Sequence, residues 1–480
     1  MNETSLHQST STVPTFRQEL GALYRLGWPI VLTQLFIMGT GFIDTVMAGQ
    51  YDPAHLAGVS VGGNVFWPTF MLMSGMLMAL SPIVSQLTGA RKTQDVGAQL
   101  RQALWIAFFN SCALMLIAVN VGSLLDSFGV APAAVEIARG YLQALSWGVP
   151  PLLFYVTLRY TSEALGHPRP PMFIAASILP LNAFLNWVFI YGKFGFPEMG
   201  GVGCGYATAI VLWTELVFML LFVVRLPFFR ATQLFAKFEW PDVQRILQIL
   251  KVGIPIGLTV FLEMAVFSVV AILIAKIGIN QIAAHSIAGN LNWLTYVIPM
   301  SIGTAAGIRV GFHIGAGDFA AARKTAYTAL QFALAYALVV MVILIFARYH
   351  LISLYTSDLG VTAVAANLLL FVAVYQIVDD TQAVMIGSLR GYKDTQVPMI
   401  FSLIGYWALA LPFGHAYAMG WFGLEPVGVY GYWLGLTVGL TFVAISMVFR
   451  LRMVSSNKAR ITSLRDASLA AQEATLSEVS

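Results

Sequence analysis

Five carboxylates stand where this chain has no ordinary use for charge: Asp44, Glu215, Glu263 and the adjacent Asp379 and Asp380, each inside an otherwise apolar run. Placing a carboxylate near the centre of a bilayer costs about 2.5–3.5 kcal/mol even on the gentler insertion scales, so each needs a reason. An acid there binds a proton, a metal cation or an organic cation, or it is consumed in a local hydrogen bond. Glu263 sits midway along LKVGIPIGLTVFLEMAVFSVVAILIA, near the midplane of a spanning helix. Asp44 lies toward the outer end of its run, where snorkelling to the outer interface is the alternative reading. Asp379 and Asp380 point about 100° apart on a helix, so one can face a cavity while the other packs against a neighbour. Tyr375, one turn before Asp379, shares its face and can share an ion or proton with it, an ordinary amphipathic aromatic being the alternative. Asn182 and Asn186, spaced i, i+4 in LPLNAFLNWVFIYG, share one helix face, and Thr208 follows on the next run. They serve either as interhelical glue or as a support for Asp44. For Glu215, helix packing and function stay equally open. Arg159 lies four residues before Glu163 near an inner helix end, which predicts a local pair that snorkels to the interface.

The elements that carry these residues follow from composition. With 58% hydrophobic and 10% charged residues, and mean hydropathy +0.77, the chain cannot be a water-soluble globule, whose charged share is about 25%. Apolar runs long enough to cross about 30 Å of hydrocarbon as helices centre near residues 37, 70, 112, 152, 181, 214, 262, 295, 337, 374, 406 and 440. The chain also repeats itself at an offset of 226 residues. Residues 27–90 laid on 253–316 give 16 identities in 64 positions, against about 5 expected by chance. The match pairs Gly27-x-Pro29-Ile30 with Gly253-x-Pro255-Ile256, and Gly63-Asn64-x-x-Trp67-x-Thr69 with Gly289-Asn290-x-x-Trp293-x-Thr295. Six crossings per copy return each half to its starting side. The predicted fold is therefore an all-α membrane protein of twelve transmembrane helices in two parallel six-helix lobes, related by a pseudo-two-fold axis along the membrane normal.

The amino-terminal lobe is expected at 1–230, a cytoplasmic connection at 231–250, the carboxy-terminal lobe at 251–452 and a polar tail at 453–480. Orientation follows from the basic residues, which are retained in the cytoplasm. Of the 26 Lys and Arg, four (Arg139, Lys193, Lys276 and Arg348) fall outside and Arg159 lies within the fourth span. The other 21 fall inside if both termini are cytoplasmic. The net charge of +4 thus reports topology, and nothing supports a nucleic-acid partner. The first twenty residues carry no apolar signal-peptide core.

Other chemistry finds little support. The seven histidines are scattered, with no His-Glu-x-x-His pair, no metal-ligand spacing and no phosphate-cradling loop. Cys112 and Cys204 read as buried free thiols. Gly58/Gly62 and Gly311/Gly315 read as close helix packing, and FMLMSGMLMAL at 70–80 as lipid-facing or core surface, a minority of it suited to a cavity for varied apolar ligands. Two-fold pseudo-symmetry around a cleft suits alternating access better than a multi-subunit pore, which leaves a transporter, with a membrane receptor or sensor as a rival of another class.

On these residues the chain resembles the multidrug and toxic compound extrusion family, in its NorM-like bacterial branch. The matching segments are GFIDTVMAG at 41–49, LNAFLNWVFIYGKFGFPEMGGVGCGYAT at 181–208, PIGLTVFLE at 255–263, GAGDFAAAR at 315–323 and LRGYKDTQVPM at 389–399. The resemblance implies export of organic cations from a bacterial inner membrane in exchange for inward Na⁺ or H⁺, by one functional chain without a resident cofactor. It puts the amino-lobe substrate or proton site on Asp44 with Asn182, Asn186 and Thr208. It puts the coupling-cation site on Glu263, Tyr375 and Asp379, with Na⁺ expected at Glu263 and Asp379. Asp380 and Glu215 match no motif of the family. A major facilitator transporter has the same two-lobe plan, but the loop LTGARKTQDVG lacks its Asp-Arg signature. A lipid or lipid-linked precursor flippase of the same fold would line its cleft with cations for phosphate, whereas the intramembrane charges here are mostly acids.

Overall fold

Backbone N–H and C=O groups find no water inside a bilayer, so apolar runs of this length close their hydrogen bonds internally as helices. A computed structural model describes residues 14–127, 132–423, 425–457 and 461–462, and among them all regular structure is helical. Residues 1–13 and most of the expected polar tail, 458–460 and 463–480, lie outside the described residues. The amino half comprises α1 (Phe16–Tyr51), α2 (Pro53–Leu77), α3 (Leu80–Gly89), α4 (Val96–Ser127), α5 (Pro132–Ser146), α6 (Val149–Ala164), α7 (Arg169–Ile190) and α8 (Gly201–Arg225). After the short α9 (Pro227–Arg230) come α10 (Val243–Ala275), α11 (Ile279–Gly315), α12 (Phe319–Ser353) and α13 (Leu359–Gly391). The chain ends with α14 (Gln396–Leu403), α15 (Leu411–Ala418) and α16 (Val429–Ser456).

Eleven of the described helical segments are long and apolar enough to cross a membrane. The fourth crossing is split into α5 and α6 at Trp147–Gly148, just before Pro150 and Pro151, whose missing N–H groups are tolerated only in a first turn. Gly148 also lets α8 approach, since a Cβ there would lie 2.9 Å from the Ala209 backbone. The second crossing is split as α2 and α3, and the eleventh contains a π-helical stretch, Ile404–Ala410, ahead of Pro412.

Several acids outside the membrane are accounted for as helix caps. Asp52, Asp242, Asp318 and Asp358 accept backbone N–H bonds at the starts of α2, α10, α12 and α13. Two of the resemblance motifs have structural uses of the same kind. In GAGDFAAAR, Asp318 caps α12 while Gly315 packs on the Gln86 carbonyl. In LRGYKDTQVPM, Asp394 accepts two bonds from Arg450 of α16, at 2.6 and 3.1 Å.

The connection is docked on α4 instead of hanging free. Glu239 takes Arg101 at 2.8 Å, Lys237 at 3.2 Å and Arg245 at 3.3 Å, and Trp240 stacks on Trp105. Burial works to raise the Glu239 carboxyl, but hydrogen bonds and charge from Arg101 and Lys237 prevail and hold it below the usual range. Because α10 starts at Val243, the last residues of the expected 231–250 connection are already its first two turns.

The two halves meet at the ends expected to face the cytoplasm. The first helix of each half begins against the other half: Leu23, Leu26 and Ile30 of α1 join a core with Ile302, Ala305 and Ile308, and Ile249 of α10 joins the amino-half core. The Glu19 carboxylate, 1% exposed, is gripped by Arg309 at 2.6 and 2.9 Å and by Thr325 at 2.9 Å. Gln86 donates to the Gly391 carbonyl at 2.9 Å. Gly75 faces Gly257, and Gly89 faces the Phe312 carbonyl, with no room for a Cβ at either place. A side chain at Gly89 would meet backbone, which no rotamer change relieves. Gly89→Leu is therefore expected to cost about 1–3 kcal/mol, lowering the thermal midpoint in detergent and increasing thiol labelling of a cysteine placed at Ser85, which is buried in the seam against Gly311. An unchanged midpoint and unchanged labelling would show that the seam is not closed there.

Candidate functional site

In the amino half, Asp44 is half-buried on α1, and the i, i+4 pair on α7 turns toward it. Its Oδ1 accepts from Asn182 Nδ2 at 3.1 Å and Asn186 Nδ2 at 2.6 Å, and its Oδ2 accepts from Thr208 Oγ1 of α8 at 3.2 Å. Asn186 also donates to Asn182 Oδ1 at 3.2 Å, which fixes the spacing of the two amides. The carboxylate thus points sideways into α7 and α8, and the snorkelled alternative is not adopted. The asparagines do join helices, but they do so through Asp44. All three donors are neutral, so a carboxylate here keeps its charge for a proton or a cation.

The carboxy half gathers a second set. Glu263 of α10 is half-buried and faces the hydroxyls of Tyr296 on α11 and Tyr406 in the π-helical stretch, with Arg390 of α13 near enough to attract it. The irregular stretch matters because Trp407 within it donates to the Leu262 carbonyl at 3.2 Å, tying it to α10 next to Glu263. Asp379, 2% exposed, accepts from Asn292 Nδ2 at 3.5 Å and lies within electrostatic reach of Glu263. Tyr375 is 1% exposed, yet its hydroxyl has no hydrogen-bond partner. No bond therefore joins it to Asp379, where one was a possible outcome of their shared face. Its ring instead packs edge-on against Trp433, centroids 5.7 Å apart.

Asp380 turns the other way, as the 100° offset requires. Gln376 Nε2 donates to its Oδ1 at 2.5 Å, Thr295 donates to Gln376 Oε1 at 3.0 Å, and Tyr336 donates to the Thr295 carbonyl at 3.0 Å. Asp380 belongs to a packing chain linking α11, α12 and α13. Glu215 of α8, 6% exposed, lies within electrostatic reach of Arg159 and Tyr155 on α6, away from Asp44. Arg159 pairs with Glu163 at 3.6 Å as its spacing predicts, but the two are 8% and 3% exposed, so the pair is buried and does not snorkel. Packing of α6 against α8 in this split crossing keeps it from the interface. Cys204 is buried, with its thiol 3.8 Å from the Asp44 carbonyl, while Cys112 is exposed, contrary to expectation. Met and Phe at 70–80 are buried or half-buried.

Among the described residues no three His, Cys, Asp or Glu side chains converge as a metal cluster. A monovalent cation needs fewer charges and more neutral oxygens. Asn292 Oδ1 and Tyr375 Oη are both buried without partners beside Asp379, so the donor set fits a hard cation there.

Reading the sequence missed Asn292, Tyr296, Arg390 and Tyr406. A signal was present in the repeat. At the 226-residue offset, Asn292 falls on Phe66, Tyr296 on Phe70, Glu263 on Ile37 and Asp379 on Leu153, so polarity present in one copy alone marks the carboxy-half site. Asp44, falling on Val270, marks the amino-half site in the same way.

The family model MatE matches residues 29–188 and 255–415, one stretch in each half. The multidrug resistance protein NorM of Aliivibrio fischeri is 36% identical over 93% of this chain and 97% of its own length. Solved structures with the same fold include the eukaryotic MATE transporter AtDTX14, at 20% identity and TM-score 0.85, covering 94% of this chain and 99% of the other. The Vibrio cholerae MATE transporter VcmN in its bent form follows at 18% identity and TM-score 0.82, covering 93% of this chain and 99% of the other.

Proposed function

This chain belongs to the MatE family of multi-pass membrane transporters and is not an enzyme; from that premise we propose that it exports organic cations and other amphipathic toxic compounds in exchange for inward Na⁺ or H⁺. The observation that carries the reading is the Asp44 carboxylate, held by three neutral donors and by no cation. Glu263 and Asp379, with the free oxygens of Tyr375 and Asn292, are the coupling site in this reading; these oxygens can serve Na⁺ or a proton, and Na⁺ is the choice that the family resemblance favours. Asp380, bonded by Gln376 through Oδ1 with Oδ2 left without a partner, and Glu215, beside Arg159, are given no part in the coupling site of this reading. The working unit is a single chain of two lobes, at 1–230 and 251–452, in a bacterial inner membrane.

The cycle is a competition followed by rocking of the lobes. Ions entering from outside neutralise the acids, weaken the hold on the cationic substrate and favour its release outside. Moving one charge through 100 mV is worth about 2.3 kcal/mol, and a tenfold gradient about 1.4 kcal/mol. A one-for-one exchange of monovalent cations cancels the voltage, so a tenfold ion gradient then sustains about a tenfold substrate gradient. The flippase alternative needs a cationic cleft, whereas in this arrangement Arg159 is engaged by Glu163 and Arg390 lies against Glu263.

The deciding experiment is substrate efflux from proteoliposomes under an imposed Na⁺ gradient and, separately, an imposed pH gradient. Acceleration by the Na⁺ gradient is expected, and no response to either would end the antiport reading. Orientation is tested with an impermeant thiol reagent in a background lacking Cys112 and Cys204. A cysteine at Glu198 should label from outside intact cells and one at Ser456, which is exposed where Ser455 is buried, should not, and the opposite pattern would reverse the topology.

A further inference from the structure

We propose that the seam between α1 and the carboxy half binds one anionic phospholipid of the inner leaflet. A groove of 380 Å³ runs between α1, α11 and α12, walled by Leu23, Tyr24, Ile302 and Phe332, with Gly21 in its floor and Arg17 at its rim. It opens on the outer face of spanning helices, so hydrocarbon chains are its neighbours by default. Nothing lies within 4 Å of the place a Cβ would take at Gly21, and that free space is what an acyl chain needs. Arg17 is exposed and has no ion-pair partner among the described residues. A cationic side chain at the rim of an apolar slot matches a phosphate with chains attached, by charge-assisted bonds. On the same stripe of α1, about 10 and 16 Å further into the bilayer than Arg17, Tyr24 and Trp28 are 60% and 48% exposed with rings stacked 6.2 Å apart, an aromatic surface against which an acyl chain can continue.

The position gives the lipid a consequence. Leu23 and Ile302 belong to the core that joins the halves, and Glu19, two residues from Arg17, is the acid that Arg309 and Thr325 grip. A chain lying across α1, α11 and α12 adds apolar contact on both sides of that seam. The bound lipid therefore favours the arrangement closed on the inner side. It acts as a resident ligand, and nothing in the proposed transport of cations requires it. The leaflet, though not the groove, rests on the orientation proposed above.

The test uses the full-length protein in detergent with added phosphatidylglycerol or phosphatidylcholine, read by native mass spectrometry and by thermal midpoint. Wild type should retain one phosphatidylglycerol and gain stability from it, with phosphatidylcholine retained less. Arg17→Gln should weaken retention about fivefold, the contribution of one cation near an anionic headgroup, and Arg17→Lys should keep most of it. Gly21→Phe, which fills the slot and leaves Arg17 in place, should lose both the lipid and the stabilisation. Equal retention of the two lipids by wild type, or undiminished phosphatidylglycerol retention by Gly21→Phe, would overturn the site. Reversed thiol labelling with the lipid results intact would overturn only the leaflet.

Discussion

Asp44→Asn is expected to lower export of cationic substrates at least tenfold at matched protein abundance, while leaving the fold intact. The substitution keeps the size and planarity of the side chain, and an amide oxygen in the place of Oδ1 still accepts from Asn182 and Asn186. What it removes is charge. At an effective dielectric of 20 a cation about 4 Å from a carboxylate gains about 4 kcal/mol, and even a third of that is a factor of about ten in binding. The new NH₂ then stands in the place of Oδ2, where Thr208 must turn its hydroxyl from donor to acceptor. Survival of cells challenged with toxic cations, carrying wild type or variant, is the measurement. Equal resistance would remove Asp44 from the substrate site.

The second large effect is expected at Glu263 and Asp379. Glu263→Gln and Asp379→Asn should each abolish acceleration of efflux by an imposed ion gradient, yet leave binding of a fluorescent cation in detergent measurable and insensitive to the ion. Substrate binding persists because Asp44 lies in the other half, on α1. The coupling is lost because an amide carries no charge for an incoming Na⁺ or proton to neutralise. Asp380→Asn should have the smaller effect on coupling, since Asp380 is engaged by Gln376 and turned toward Thr295 and Tyr336. Gradient-driven efflux at the wild-type rate in both variants would show that these acids do not couple transport.

The amino-half site was largely legible in the sequence and the carboxy-half site only partly. Asn182 and Asn186 reveal their common face through helical spacing alone, and a lone aspartate in an apolar run requires donors, so the grouping with Thr208 needed little more. The carboxy-half set draws on α10, α11, α13 and the π-helical stretch, and no spacing along one helix brings Tyr296, Asn292 and Tyr406 to two acids on two others. Tyr375 shows the limit of helical spacing. Its shared face with Asp379 was correct geometry, but which hydroxyl finds which partner depends on the rotamers that Trp433 and Phe267 permit.

The sequence by itself determined that this is a helical membrane protein built from a duplicated six-crossing unit, because apolar length and backbone hydrogen bonding leave no other solution in hydrocarbon. It also determined the residues that needed a reason to exist, since a buried charge is costly wherever it lies. Only the tertiary structure decided where the crossings break, how the first helix of each half crosses to the other, and which neighbours satisfy each acid. Those features depend on contacts between segments far apart in the chain. Gly89 against Phe312, Glu19 against Arg309 and Arg159 held inside α6 and α8 each follow from helix surfaces meeting, which local periodicity does not encode.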